Sequence, residues 1–120
     1  MDALKISKTD DTPEVQLDKA NNTFVISGRS LPEDSVEFYS PIFKWLEGYS
    51  KEANAATEFV FKLEYANTAS SKMVQNMLTA LEKIKGVKIV WYYYEEDEDM
   101  KDMGEELSEL VNIPFDFRTY

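Results

Sequence analysis

Neither cysteine nor histidine occurs among the 120 residues. Without them no disulfide, thiol nucleophile or His-based triad is possible, and the ordinary zinc ligand sets are missing as well. A chain free of cysteine suits a reducing compartment, so a cytoplasmic location is expected. Cationic residues are scarce: 13 Lys and Arg stand against 23 Asp and Glu, for a formal charge of -10. A surface of that sign repels a phosphate backbone and is steered toward basic protein surfaces, which argues against nucleic acid and for protein partners. No apolar run approaches the roughly 18 residues that span a bilayer, and no basic stretch leads into an apolar one at the N-terminus. Neither a membrane span nor a secretion signal is expected. The length suits one domain over residues 1–120, and no repeat, linker or low-complexity tract divides it.

The β-prone runs Glu14 to Asp18 and Thr23 to Gly28 flank Asn21-Asn22, a dipeptide that tolerates positive φ, and predict a hairpin. Leu31 to Ser35 has loop chemistry. From Val36 to Lys51, Tyr39, Ile42, Phe43, Leu46 and Tyr49 recur at helical spacing. Pro41 costs about 3 kcal/mol inside a helix, so the regular part is expected to begin with Ser40 as cap and Pro41 at the first helical position, with the residues before Ser40 as a turn or a kinked extension. Thr57 to Tyr65 alternates as a strand should. Met73, Val74, Met77, Leu78, Leu81 and Ile84 then mark a helix ending near Lys85-Gly86. Val87 to Tyr94 is apolar on both faces, as in a strand within a largely covered sheet, and completes a parallel β-α-β unit. A last helix through Met100, Met103, Leu107, Leu110 and Val111 should stop before Pro114, with Gly104 as its weak point. Phe115 to Arg118 reads as a short final strand or an aromatic plug.

The segment with chemistry in it is Asn67-Thr68-Ala69-Ser70-Ser71, where a strand hands over to a helix. Thr68 falls at or next to the N-cap. A capping hydroxyl accounts for a Thr here, at about 1 kcal/mol. A phosphate at the same place would meet unpaired N–H groups and the positive end of the helix dipole. Composition and spacing leave both readings open. The acidic run Glu95 to Asp99 lacks the Gly and the spaced Glu of a calcium loop and reads as a solvated lead-in to the last helix. Trp91, Tyr92, Tyr93 and Tyr94 lack the interleaved basic residues of a base-stacking surface. Carboxylates are abundant but no motif singles out a pair, so an enzyme, for instance a metal-dependent carboxylate one, is the weaker reading beside a binding module.

Thr12-Pro13, Gly28-Arg29-Ser30-Leu31-Pro32-Glu33-Asp34-Ser35, Tyr65-Ala66-Asn67-Thr68-Ala69-Ser70-Ser71-Lys72, Trp91-Tyr92-Tyr93 and Ile113-Pro114-Phe115 together resemble the SiaC family of regulatory phosphoproteins. The resemblance implies a single-domain α/β fold like that of the anti-sigma-factor antagonists (STAS-like), a mixed sheet with packed helices. It also implies a non-enzymatic partner switch without cofactor or metal, with Thr68 as phosphoacceptor and Asn67, Ser70, Ser71 and Lys72 as its surrounding motif. Ser70 and Ser71 are second-choice acceptors. The implied partners are an anti-sigma-factor-type Ser/Thr kinase, a PP2C-type phosphatase and an effector, in the family a diguanylate cyclase linked to biofilm formation through cyclic di-GMP. A constitutive scaffold, in which Thr68 only caps its helix, is the alternative.

Overall fold

Alternating side chains build the first part of the sheet. In the computed structural model, which describes residues 1–120, β1 (Leu4–Ile6), β2 (Glu14–Asp18) and β3 (Thr23–Ser30) form an antiparallel meander. Asp18 pairs with Thr23 across a turn in which Asn22 takes φ 51°, the left-handed conformation anticipated for this dipeptide. The three-residue β1 is too short for alternation to show in the sequence.

Beyond β3 every connection is a helical crossover. Strands β4 (Thr57–Ala66), β5 (Val87–Tyr93) and β6 (Phe115–Thr119) each run parallel to their predecessor, linked by α1 (Ser35–Ser50), α2 (Thr68–Glu82) and α3 (Glu98–Leu110). The six strands lie side by side in sequence order. Parallel crossovers are right-handed, so a sheet that always advances in one direction receives all its helices on one face. Burial follows: Phe59, Phe61 and Leu63 of β4 are buried, while the alternate Glu58 and Glu64 are exposed.

This corrects the expectation of a largely covered sheet. The second face is open, and β5 looked two-sided because Val90, only 1 % exposed, sits on that open face. Val60 is its register partner on β4 and Asp116 its partner on β6. Around it, Lys62 Nζ lies 4.5 Å from the centre of the Tyr92 ring, and Arg118 donates from two nitrogens to Asp116 at 2.7 and 3.0 Å. That contact, foremost, holds the Asp116 carboxyl below the usual range. Long polar side chains thus screen an apolar strand from water, as Lys and Arg stems commonly do.

Helix α1 departs from expectation at its start. It begins at Ser35 and carries Pro41 inside, with Asp34 rather than Ser40 as cap: the Asp34 carboxylate accepts from Glu37 N–H at 3.0 Å. Tyr39, in the turn before the proline, is fully buried, and its hydroxyl lies 2.6 Å from Ser30 Oγ. Cap and buried anchor hold the turns before the proline in helical form. Pro41 itself is exposed, so water can serve the carbonyl that lacks its donor. Helix α2 also stops earlier than expected, at Glu82, and the chain turns into β5 at Gly86, with φ 82°.

An aromatic series runs through the core. Phe24 meets Tyr49 at 5.1 Å, Tyr49 stacks on Trp45 at 5.1 Å, and Phe61 meets Trp91 at 5.4 Å. Trp91 also seats α3, its indole N–H donating to the Met100 carbonyl at 3.0 Å. Gly104 lies against the same ring, where an added Cβ would come within 2.5 Å of it. The weak point in the helical pattern is therefore a packing requirement. Gly104→Ala should gain about 1 kcal/mol of helix propensity and lose about 1–3 kcal/mol to overpacking. The net expectation is a lower midpoint in urea denaturation, and a raised one would contradict the tight seat.

Candidate functional site

Strand β4 ends at Ala66 and α2 begins at Thr68, with Asn67 between them in an extended conformation at φ -73° and ψ 173°. The Asn67 side-chain carbonyl accepts from Ser70 N–H at 2.8 Å, so Asn67 is the cap and Thr68 the first helical residue. The sequence allowed Thr68 at or beside the cap, and it is beside it. Thr68 is exposed. The N–H groups of Thr68 and Ala69 open the helix, where no carbonyl of the preceding turn can accept from them. Lys72, also exposed, follows one turn later on the same side.

Ser70 has a different part. It is fully buried, and its hydroxyl accepts from Ser30 Oγ at 2.9 Å, which in turn lies 2.6 Å from the Tyr39 hydroxyl. Asn67 N–H donates to the Ser30 carbonyl at 3.1 Å. The end of β3, the second turn of α1 and the start of α2 are thereby knotted through three hydroxyls. Burial, the dominant influence, pushes the Tyr39 phenol above its ordinary value. Ser71 is half-buried and reaches toward Met103 Sδ at 3.9 Å. Of the three hydroxyls in the motif, Thr68 is the one that solvent reaches freely.

The sequence reading did not find this knot, although a signal for it existed. Phe24, Ile26, Gly28 and Ser30 share one side of β3 by strict alternation, and Ser70 shares one side of α2 with Val74, Met77, Leu78 and Leu81. Two serines on otherwise apolar, inward-facing rows are candidates for a buried partnership.

Thr68 also stands on the wall of a groove of about 860 Å³ between α2 and α3. Tyr65, Met103, Leu107 and Leu110 supply apolar lining, and Ser71 lies on the α2 side. Asp97, Asp99, Asp102 and Glu106 line it along α3, while Lys72 is its single cation. Asp97 also caps α3, accepting from Met100 N–H at 3.0 Å. The acidic run of the sequence thus leads into α3, as expected, and supplies one wall of the groove. No helix is long and apolar enough to cross a membrane.

The hydroxyl knot should be measurable. Ser70→Ala removes a buried partner and should cost about 1–3 kcal/mol in denaturant unfolding. Because the folded pKa of Tyr39 lies above its unfolded value, the folded state retains the proton longer. Stability is then intact below about pH 10, the unfolded tyrosine value, and falls as pH rises above it. Tyr39→Phe should flatten that alkaline decline, and an unchanged slope would contradict a buried neutral Tyr39.

Comparison with known proteins bears on the whole chain. The model for the SiaC family regulatory phosphoprotein matches residues 6–120. A protein of Pseudomonas aeruginosa (strain UCBPP-PA14) is 29% identical over 119 residues, covering 96% of this chain and 94% of that one. The crystal structure of apo-SiaC from Pseudomonas aeruginosa superposes with a TM-score of 0.89 at 28% identity, covering 98% of this chain and 99% of that chain. The crystal structure of the diguanylate cyclase SiaD in complex with its activator SiaC, from the same organism, gives a TM-score of 0.91 at 28% identity, again over 98% and 99%. The fold is accordingly the single α/β domain with a mixed sheet that the motifs implied. With its family model matched from residue 6 to the last residue, this chain belongs to the SiaC family of regulatory phosphoproteins.

Proposed function

We propose that this chain is a non-enzymatic partner switch controlled by phosphorylation of Thr68. In its unphosphorylated form it binds and activates a diguanylate cyclase. A Ser/Thr kinase of the anti-sigma-factor type phosphorylates Thr68 and releases the cyclase, and a PP2C-type phosphatase restores the binding form. The effector assignment is supported by the likeness to SiaC, the activator in the SiaD complex. Kinase and phosphatase follow from the family motif around Thr68.

The observation that carries the proposal is the division of labour at the start of α2. Asn67 does the capping and Ser70 the buried bonding, which leaves Thr68 exposed and without a structural task. That counts against the scaffold reading, in which Thr68 is the cap. A phosphate on Thr68 brings about -1.5 to -2 charges to a place where free N–H groups, the helix dipole and Lys72 can receive it. The domain can therefore keep its fold while the surface offered to a partner changes.

Three forms of the protein test this with purified kinase, ATP and a diguanylate cyclase of the same organism. Kinase treatment should place one phosphate on Thr68 by mass spectrometry and reduce cyclase activation at least about tenfold, a difference of about 1.4 kcal/mol. Thr68→Ala should activate whether or not kinase is present, and should unfold within about 0.5 kcal/mol of wild type, since the cap is untouched. Thr68→Asp should activate less well, being a one-charge imitation. A phosphate located elsewhere, or a Thr68→Ala protein still silenced by the kinase, would end the proposal.

A further inference from the structure

The groove beside Thr68 has the lining of a docking site for a particular kind of segment. Its apolar residues Tyr65, Met103, Leu107 and Leu110 belong to it together with carboxylates on α3. Tyr65 and Leu110 are 46% and 61% exposed, large values for such side chains. The walls are two helices, and the lining along α3 runs from Asp99 to Leu110, three turns. A groove walled by helices, with Met103 and Leu110 offering apolar surface two turns apart over the buried Leu107, is the shape that an amphipathic helix fills.

Charge identifies the occupant. Asp99, Asp102 and Glu106 follow one another at spacings of three and four, where like charges repel across a helix surface. All three are exposed. None has an ion-pair partner: the four ion pairs of the protein join Met1 and Lys19 to Glu52, and Lys88 and Arg118 to Asp116. Self-repulsion along one flank of an apolar groove is relieved by a ligand that brings cations to that flank and apolar side chains to the floor.

We infer that the α2–α3 groove receives a basic amphipathic helix of the partner protein, its apolar stripe on Tyr65, Met103 and Leu110 and its Lys or Arg residues on Asp99, Asp102 and Glu106. This rests on the reading of Thr68 as the control point and specifies how control works. A dianion on Thr68 would by charge alone attract a basic helix, so release must come from occupation: the phosphate enters the groove from the α2 wall and takes the space of the incoming helix. Salt and phosphorylation then act on binding through different physics.

Two synthetic peptides test the groove without any cyclase. Both are capped 18-residue helices with one leucine stripe, flanked by Lys and Arg in the first and by Glu in the second. The basic peptide should bind, shift the amide resonances of Ser71, Met103 and Leu107, and lose affinity as salt is raised, whereas the acidic peptide should not bind. The variant D102K/E106K, altered at two exposed positions, should weaken the basic peptide at least tenfold. The variant D10K/E33K makes the same change in net charge outside the groove and should stay within about threefold of wild type, because screened charges at a distance contribute little. Equal weakening by both variants, equal binding of both peptides, or resonance shifts centred elsewhere would overturn the inference. The same two variants in the cyclase assay separate the proposals. If D102K/E106K activates like wild type while kinase treatment still silences it, the groove assignment fails and the Thr68 switch stands. If kinase treatment silences nothing, the switch fails whatever the peptides do.

Discussion

Three successive parallel crossovers of one hand govern the rest of this molecule. Because β3 to β6 advance across the sheet in sequence order, α1, α2 and α3 must all pack on the same side, and the other side faces solvent. The same geometry brings the C-terminal ends of β4 and β5 and the starts of α2 and α3 to one end of the domain. Thr68 and Asp97 become neighbours across a groove although 28 residues of chain separate them. Sites in parallel sheets gather at this end for that reason: strands deliver chain there and helices begin there with unpaired N–H groups.

Around that end, rigidity and access are divided among adjacent residues. Ser30, Tyr39 and Ser70 join three elements through buried hydroxyls, and every buried side-chain polar atom has a partner. A fully satisfied network of this kind specifies one arrangement of its backbone. Two residues before Ser70, Thr68 is exposed on the fixed platform. A charge added to such a residue alters the docking surface much more than the fold, which suits a switch that works by association.

Helix α3 combines a closely fitted inner side with a charged outer one. Inside, Trp91 grips it through the Met100 carbonyl and the missing side chain of Gly104. Outside, six acidic residues and one lysine lie within its 13 residues. Asp97, Glu98 and Asp99 complement the positive end of the dipole, but the last turn has no basic residue to match the negative end. The helix is thus held by its tryptophan seat more than by its own surface electrostatics.

Local periodicity made most elements legible. The alternation of Thr57 to Tyr65, the apolar spacing after Met73 and the Asn21-Asn22 turn each follow from backbone geometry within a few residues. The place of Thr68 at a strand-to-helix junction was legible in the same way. The misread parts were those settled by side-chain contacts that periodicity does not show. Pro41 lies within α1 because Tyr39 is anchored to Ser30, and Val90 is hidden on an open face by long side chains of β4 and β6. The sequence by itself determined an acidic α/β domain of this family, because charge, periodicity and motif are properties of neighbours along the chain. Tertiary structure alone decided that Ser70 is locked away and that Thr68 overlooks an acidic groove, since each depends on crossover hand and on side chains meeting across about 30 to 40 positions of sequence.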